Sequence, residues 1–471
     1  GELPLWNPYQ FAGVPFLAAG QHSALYPFSI IFYIVPLARA YGLFAWSQFF
    51  LSGLLAYVFL RVLGARRLGA LFGAILYQLC LFMVVSVVFP MILAAVVWLP
   101  LVLTALELAV RQQPALGGRP ATLPWLVLGA GALGLQILAG HVEITYHTLL
   151  VAGAYSAWRL AAEYRRLKTV PANGAATLGG RLRRLAGRGA ALLALAGAGL
   201  ALGAIQLIPL YELVRNNFRS GSATFDQIIG WSFPWRHVLH FLVPNFLGNS
   251  SHHGYFDLFS LQWRAATVNA LGERIDTIQW GIKNSVEGGA YLGLLPLLLV
   301  PLALAHWFNL RKTHARPSSS ISNPQSPLTN YPLPITAIPF FALLAAVSLG
   351  FAFPTRLYAL IYWLPGIDQL HSPFRWVWVL SLSVAVLSAF GMEYLCQFAE
   401  NAAGRLAHRR QRRAGAVAGG SALVRALCVF APPSLVTGLA GLAVWGGVLV
   451  ILGLLAAWLG YDALGVNRLM D

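Results

Sequence analysis

Several separated stretches of this chain carry side chains able to move a proton or grip an anion. His141 and Glu143 stand two residues apart in LAGHVEITYH, an imidazole and a carboxylate in one tight turn, a pairing suited to proton transfer or to metal binding. A carboxylate at that place also fits the first turn of a helix, where it complements the dipole. Arg215, Arg219 and Arg375 offer planar guanidinium forks of the kind that holds phosphate through two parallel hydrogen bonds. Arginine at the end of a membrane span also snorkels to headgroups, which is the plainer reading of the same residues. Trp6, Asn7, Tyr9, Gln21, His22 and Tyr26 crowd into the opening stretch from Leu3 to Pro27, which has no acidic residue and reads as a lid or substrate platform. Tyr211, Glu212, Glu287, Tyr291, Asp368, His371 and Ser372 complete the polar set. His237, His240, His252 and His253 lack the cysteines or the ligand spacing of a metal site. Cys80, Cys396 and Cys428 are too scattered for a disulfide framework or a zinc site, and read as small apolar fillers.

The elements that must position these groups are membrane spans. With 58% hydrophobic and 10% charged residues over 471 positions, and a mean hydropathy of +0.67, the chain lies far outside the range of soluble domains. A spanning helix needs about 20 apolar residues. Candidates run at about 41–60, 68–89, 91–110, 121–140, 143–161, 189–212, 288–310, 334–352, 374–395 and 434–460, which makes about ten. The runs Tyr26 to Leu37 and Leu357 to Ile367 are too short to span, and read as interfacial half-helices. The Gly- and Ala-rich run from Ala196 to Ala204 reads as a close helix-packing surface.

Charge then sets orientation. Arginines follow every second span: Arg61, Arg66 and Arg67; Arg111 and Arg119; Arg159 to Arg188; Arg311, Lys312 and Arg316; and Arg405 to Arg425. Most carboxylates fall in the intervening loops. The positive-inside rule makes the basic loops cytoplasmic and places residues 1–40 and the long loop 215–287 outside. The formal charge of +17 is accounted for by this topology and by attraction to membrane lipids, so no nucleic-acid partner is required. The expected organisation is an external loop with a half-helix at 1–40, six spans over 41–214, the loop 215–287, three spans over 288–395 with a Ser/Pro-rich cytoplasmic linker at 311–333, a basic loop at 396–433, and a last span over 434–471. The opening Gly-Glu-Leu-Pro has no Met and no signal pattern, so the chain reads as a piece of a longer protein.

The blocks LPLWNPYQFAGVPFLA, YPFSIIFYIVP, LQILAGHVEITYHTLLV, QLIPLYELVRNNFRSG, EGGAYLGLLPLLL and LPGIDQLHSPFRWVWVLSLSVAVLSAFGMEYL, in this order up to about Leu395, resemble the bacterial YfhO-type multi-pass membrane protein family. Where that family usually has His-Pro-Gln, this chain has His141-Val142-Glu143. The resemblance implies an all-α polytopic fold of the GT-C type in the bacterial plasma membrane. It implies a glycosyltransferase that moves a sugar from a polyprenyl-phosphate carrier to a cell-envelope acceptor, such as lipoteichoic acid or another surface glycopolymer or lipid, on the outer face. Such enzymes commonly use a carboxylate of the first external loop as base. Only Glu2 is present in that loop here, so the main acid is expected upstream of Gly1, with His141 and Glu143 as the alternatives within this chain. Arg215, Arg219 and Arg375 would hold the donor phosphate. Trp6, Asn7, Tyr9, Gln21, Tyr26 and Glu287 would bind sugar or acceptor. No cofactor is implied, and a divalent cation is left open. Two other readings stand beside this one: a transporter or flippase of a lipid-linked anion, which should carry ionisable groups at mid-span along a path, and a non-catalytic scaffold for envelope assembly.

Overall fold

The structure, a computed structural model, describes residues 5–10, 12–114, 121–169, 178–216, 223–233, 235–244, 254–257, 262–265, 289–314, 333–370 and 372–414. The expected last span at 434–460 lies outside these residues, as do the linker at 315–332 and most of the long loop. The chain divides into a unit of Gly1–Met392 and a second of Glu393–Asp471. In the second, the described part is the end of one long helix, where Gln397 Nε2 donates to Glu393 at 3.2 Å.

The first loop begins with a short antiparallel ribbon of β1 (Trp6–Asn7) and β2 (Val14–Pro15), followed by α1 (Phe16–Ala19). The expected half-helix after Tyr26 is built as a 3-10 turn, Pro27–Ile30, and α2 (Ile31–Ile34). Pro36 holds Val35 in extended backbone and so separates this piece from α3 (Leu37–Val62). Then come α4 (Arg67–Gln78), α5 (Leu81–Val85), α6 (Pro90–Val96), α7 (Leu99–Arg111), α8 (Leu123–Leu138), α9 (Val142–Thr169), α10 (Leu178–Leu202), α11 (Ala204–Arg215) and α12 (Phe225–Gly230). A hairpin of β3 (Gly254–Asp257) and β4 (Gln262–Ala265) stands in the long loop. The rest is α13 (Leu294–His314), α14 (Leu333–Ala352), α15 (Ala359–Tyr362) and α16 (Val377–Ala414).

Among the described residues, seven helical stretches are long and apolar enough to cross a membrane: Leu37–Val62, Arg67–Val88, Pro90–Arg111, Leu178–Leu202, Leu294–Lys312, Leu333–Ala352 and Pro373–Asn401. The chain is therefore an all-α polytopic membrane protein. Two further expected spans form helices of a different character. α8 has only 16 residues, and α9 is too polar to count because it turns Thr145, His147, Thr148, Arg159 and Glu163 into the protein interior. The second, third and sixth expected spans are each broken, at Leu79–Cys80, Val97–Trp98 and Gly203 respectively. Pro90–Arg111 is the central span, 89% buried, whereas Leu178–Leu202 is 17% buried and lies at the periphery.

Small residues bring the helices together. A methyl group on Gly199 would lie 2.7 Å from Leu133, and one on Gly134 would lie 2.9 Å from Leu202, so α8 and α10 meet at the Gly/Ala-rich run as its composition predicts. Gly73 sits equally close to Leu60 and to the Ala385 carbonyl of α16. The loops sort into two ends. At one, the first loop meets the α8–α9 turn, and the first turns of α9 meet the α14–α16 connection. At the other, Arg111 Nη1 donates to Val62 O at 3.2 Å, and Trp158 and Trp307 donate to Thr336 O and Ile335 O, both at 2.9 Å. Arg61 and Arg111 lie at this second end.

Candidate functional site

The first-loop end is assembled around the turn at Gly140. Its φ of +88° lies in the left-handed region that glycine enters without penalty, and it packs so tightly on the first loop that a methyl group there would overlap Gly20 O. Ser23 Oγ donates to Ala139 O at 2.6 Å, and Gln206 Nε2 of α11 donates to Leu17 O at 2.7 Å. His22 stacks on Phe16, with ring centroids 4.0 Å apart. The first loop is thus fastened to the bundle as a platform through the Ser23–Ala139 and Gln206–Leu17 hydrogen bonds, which exist only in the docked position.

His141 precedes α9 and caps it. Its Nδ1 accepts from the Ile144 N–H at 3.3 Å, and its carbonyl accepts from the Thr145 N–H at 3.2 Å. Burial lowers its pKa well below the ordinary value, and the charge of Arg375, then of His147, acts in the same direction. A neutral imidazole whose Nδ1 accepts carries its proton on Nε2. His141 is therefore placed as the cap of α9.

Glu143, in the first turn of α9, forms an ion pair with Arg375 Nη1, from the 3-10 turn Pro373–Trp376 that leads into α16. Only about a tenth of either side chain is exposed, 8% and 12%, so the pair is shielded from water. One turn further along α9, His147 lies against Trp376, centroids 4.6 Å apart, with its Nδ1 3.5 Å from Trp378 Nε1. Tyr358 is buried beside them. Its hydroxyl pKa is raised by burial first and then by the charges of Glu143 and Tyr146. The surrounding connection is held in place by Tyr146 Oη to Pro365 O at 2.8 Å, Tyr362 Oη to Ala223 O at 3.0 Å, and Phe233 N to Ala352 O at 2.9 Å. The result is a shielded acid–guanidinium pair among neutral donors, drawn from segments 232 residues apart in the chain.

Of the residues singled out from sequence, His141, Glu143 and Arg375 come together. Tyr26 does not join them: it is 1% exposed, its hydroxyl donates to Gln48 Oε1 at 2.8 Å, and it accepts from Trp98 Nε1 at 3.2 Å. Buried among Phe28, Phe44 and Trp98, its ring is not exposed for a sugar to stack on. Trp6 and Tyr9 are exposed, Tyr9 at 94%, and Asn7 Oδ1 accepts from the Tyr9 N–H at 3.0 Å to shape the loop tip. Gln21 is exposed. Arg215 ends α11 with its guanidinium over the Tyr211 ring, 5.4 Å from the centroid. Arg219, Glu287 and His371 lie outside the described residues. His237 and His240 stack at 4.6 Å, and among the described residues no group of three or more metal-ligating side chains forms.

No family model, no curated protein and no solved structure matches this chain.

Sequence reasoning missed a second ionic cluster. Glu107 of α7, fully buried, receives Arg159 of α9 through Nε at 2.6 Å and Nη2 at 2.8 Å, and Tyr155 Oη donates to it at 2.8 Å. Arg159, expected in a basic loop, is thus inside the protein, since a buried carboxylate on α7 demands a cation on the facing helix. The signal was present: Glu107 is the only acid in the run 91–110.

Proposed function

We propose that this chain is a membrane glycosyltransferase of the YfhO-like, GT-C type, transferring a sugar from a polyprenyl-phosphate carrier to a cell-envelope acceptor, with its first-loop end facing outward from the bacterial plasma membrane. The observation that carries the reading is the shielded Glu143–Arg375 pair beside the docked aromatic loop. In the resting protein the two charges pair with each other. A donor phosphate arriving at this end competes for Arg375, which can grip it bidentately. Its loss of Arg375 leaves the Glu143 carboxylate free to accept a proton. The acceptor hydroxyl then gives its proton to Glu143 while its oxygen bonds to the sugar carbon, the bond from that carbon to the phosphate oxygen breaks, and Arg375 balances the charge left on the phosphate. Exposed Arg215 would add to the cationic rim, as would Arg219, which follows it in the chain. Trp6, Asn7, Tyr9, Gln21 and Glu287 would meet sugar or acceptor. An apolar groove of about 580 Å³ between α3 and α4, lined by Phe50, Leu54, Tyr57, Leu71 and Ile75, offers room for a lipid tail.

The test is transfer of radiolabelled sugar from a polyprenyl-phosphate donor in membranes containing the protein. Glu143→Gln and Arg375→Ala should each reduce transfer by about 100-fold or more, the contribution typical of a positioned base or charge. Transfer within twofold of the unsubstituted protein in both variants would refute the assignment. A transporter of a lipid-linked anion is the second reading, and the buried Glu107–Arg159 pair favours it, since ionisable groups inside a bundle commonly mark a path. Flux across proteoliposomes without sugar transfer would decide for it.

A further inference from the structure

The opposite end of the bundle carries a polar cavity that sugar transfer does not use. It has a volume of about 510 Å³ and lies between the last turns of α9 and the first turns of α10, with Gln112 and Thr122 at its side. Four guanidinium groups line it, those of Arg166, Arg183, Arg184 and Arg188, against a single carboxylate, Glu163. Glu163 is buried and holds Arg188 Nη1 at 2.6 Å and Arg166 Nε at 3.0 Å, so two of the forks are fixed in the cavity wall. Arg183 and Arg184 are exposed and form no ion pair among the described residues. One carboxylate cannot neutralise four converging cations, and the remaining positive charge calls for an anion. The first turns of α10 add the positive end of its dipole.

The place of the cavity at the end of a membrane span identifies the kind of anion. α10 is the least buried of the spans, and Leu182, Leu193 and Leu200 are exposed along it. Their spacings of eleven and seven residues return to the same side of an α-helix. The cavity lies on the other side of α10, at the end of the span where headgroups sit, and a helix open to hydrocarbon beyond it suits an amphiphile with an anionic head and not a free ion. We propose that this cavity binds the phosphate headgroup of an anionic phospholipid, with Arg183 and Arg184 as its direct ligands and Glu163 as the group that positions Arg166 and Arg188. The site is independent of the glycosyltransferase reading.

Native mass spectrometry of the full chain in detergent, titrated with phosphatidylglycerol, phosphatidylcholine or inorganic phosphate, tests this. Phosphatidylglycerol should bind at least tenfold more tightly than phosphatidylcholine, and 10 mM phosphate should displace little of it. In R183Q/R184Q, affinity for phosphatidylglycerol should fall about 25-fold, taking about fivefold for each arginine removed at a membrane surface. R405Q/R409Q, in another basic stretch, should change it less than twofold. Equal binding of the two lipids would overturn the proposal, as would phosphate competing as well as the lipid, or R183Q/R184Q retaining affinity within twofold. The first two comparisons use the unsubstituted protein and so do not depend on a variant folding.

Discussion

Arg159→Met is the sharpest test of how the bundle is held together. The substitution keeps the length of the aliphatic stem and removes two charge-assisted bonds to Glu107, at 2.6 and 2.8 Å, leaving a fully buried carboxylate with the Tyr155 hydroxyl as its remaining hydrogen-bond partner among the described residues. Removing one member of a buried ion pair costs about 3–5 kcal/mol, because the charge left behind has neither water nor counter-ion. If the cluster is a structural clamp, eliminating all of its polar groups should be far milder. In Glu107→Leu/Tyr155→Phe/Arg159→Met no buried charge or hydroxyl is stranded, and Thr336 Oγ1 still donates to Leu333 O at 3.0 Å. The triple variant should then lie within about 1–2 kcal/mol of the unsubstituted protein, or above it. The assay is reversible unfolding in mixed micelles followed by tryptophan fluorescence, with the non-additivity of the single and triple variants as the readout. A loss below about 1 kcal/mol for Arg159→Met would refute the reasoning, as would a triple variant as unstable as the sum of its parts. A clamp also predicts that the triple variant keeps sugar transfer, whereas a transport path through Glu107 would be abolished.

Gly140→Ala should cost about 2–4 kcal/mol in the same assay, combining about 1–2 for an alanine in left-handed backbone with the overlap on Gly20 O. Gly153→Ala, in α9 with open space around it, should be neutral or gain up to about 1 kcal/mol, and equal losses at the two glycines would show that the Gly20–Gly140 contact is not what matters. The pH dependence follows from His141 and His22, both lowered from 6.5 chiefly by burial. The unfolded chain takes up these protons first, so their stabilising contribution is complete above about pH 6.5 and is lost as the pH falls from there through the folded values. Melting temperature should fall between about pH 7 and 5, and His141→Asn, which keeps an acceptor for the helix cap, should flatten part of that fall. An unchanged slope in His141→Asn would remove His141 from the account.

Much of this protein is written along the chain. Apolar run length gave the spans, because crossing hydrocarbon forces every backbone polar group into a helix of fixed minimum length. Pro36 marked the end of the half-helix, and the Gly/Ala run at 196–204 marked a close contact. Run length failed for α9, whose inward face is polar enough to hide its expected span. Composition reports how deep a residue lies along the membrane normal, but not which way it faces around its helix. That rotation is fixed by neighbouring helices, so Tyr26 could be expected to face a substrate and instead joins Gln48 and Trp98 in the core. For the same reason Glu143 and Arg375 were both legible as site residues while their pairing was not. Arg159 read as a loop charge because its partner sits 52 positions away on α7. Local sequence sets the length and depth of each helix, and the packing of distant helices against one another chooses which charges meet.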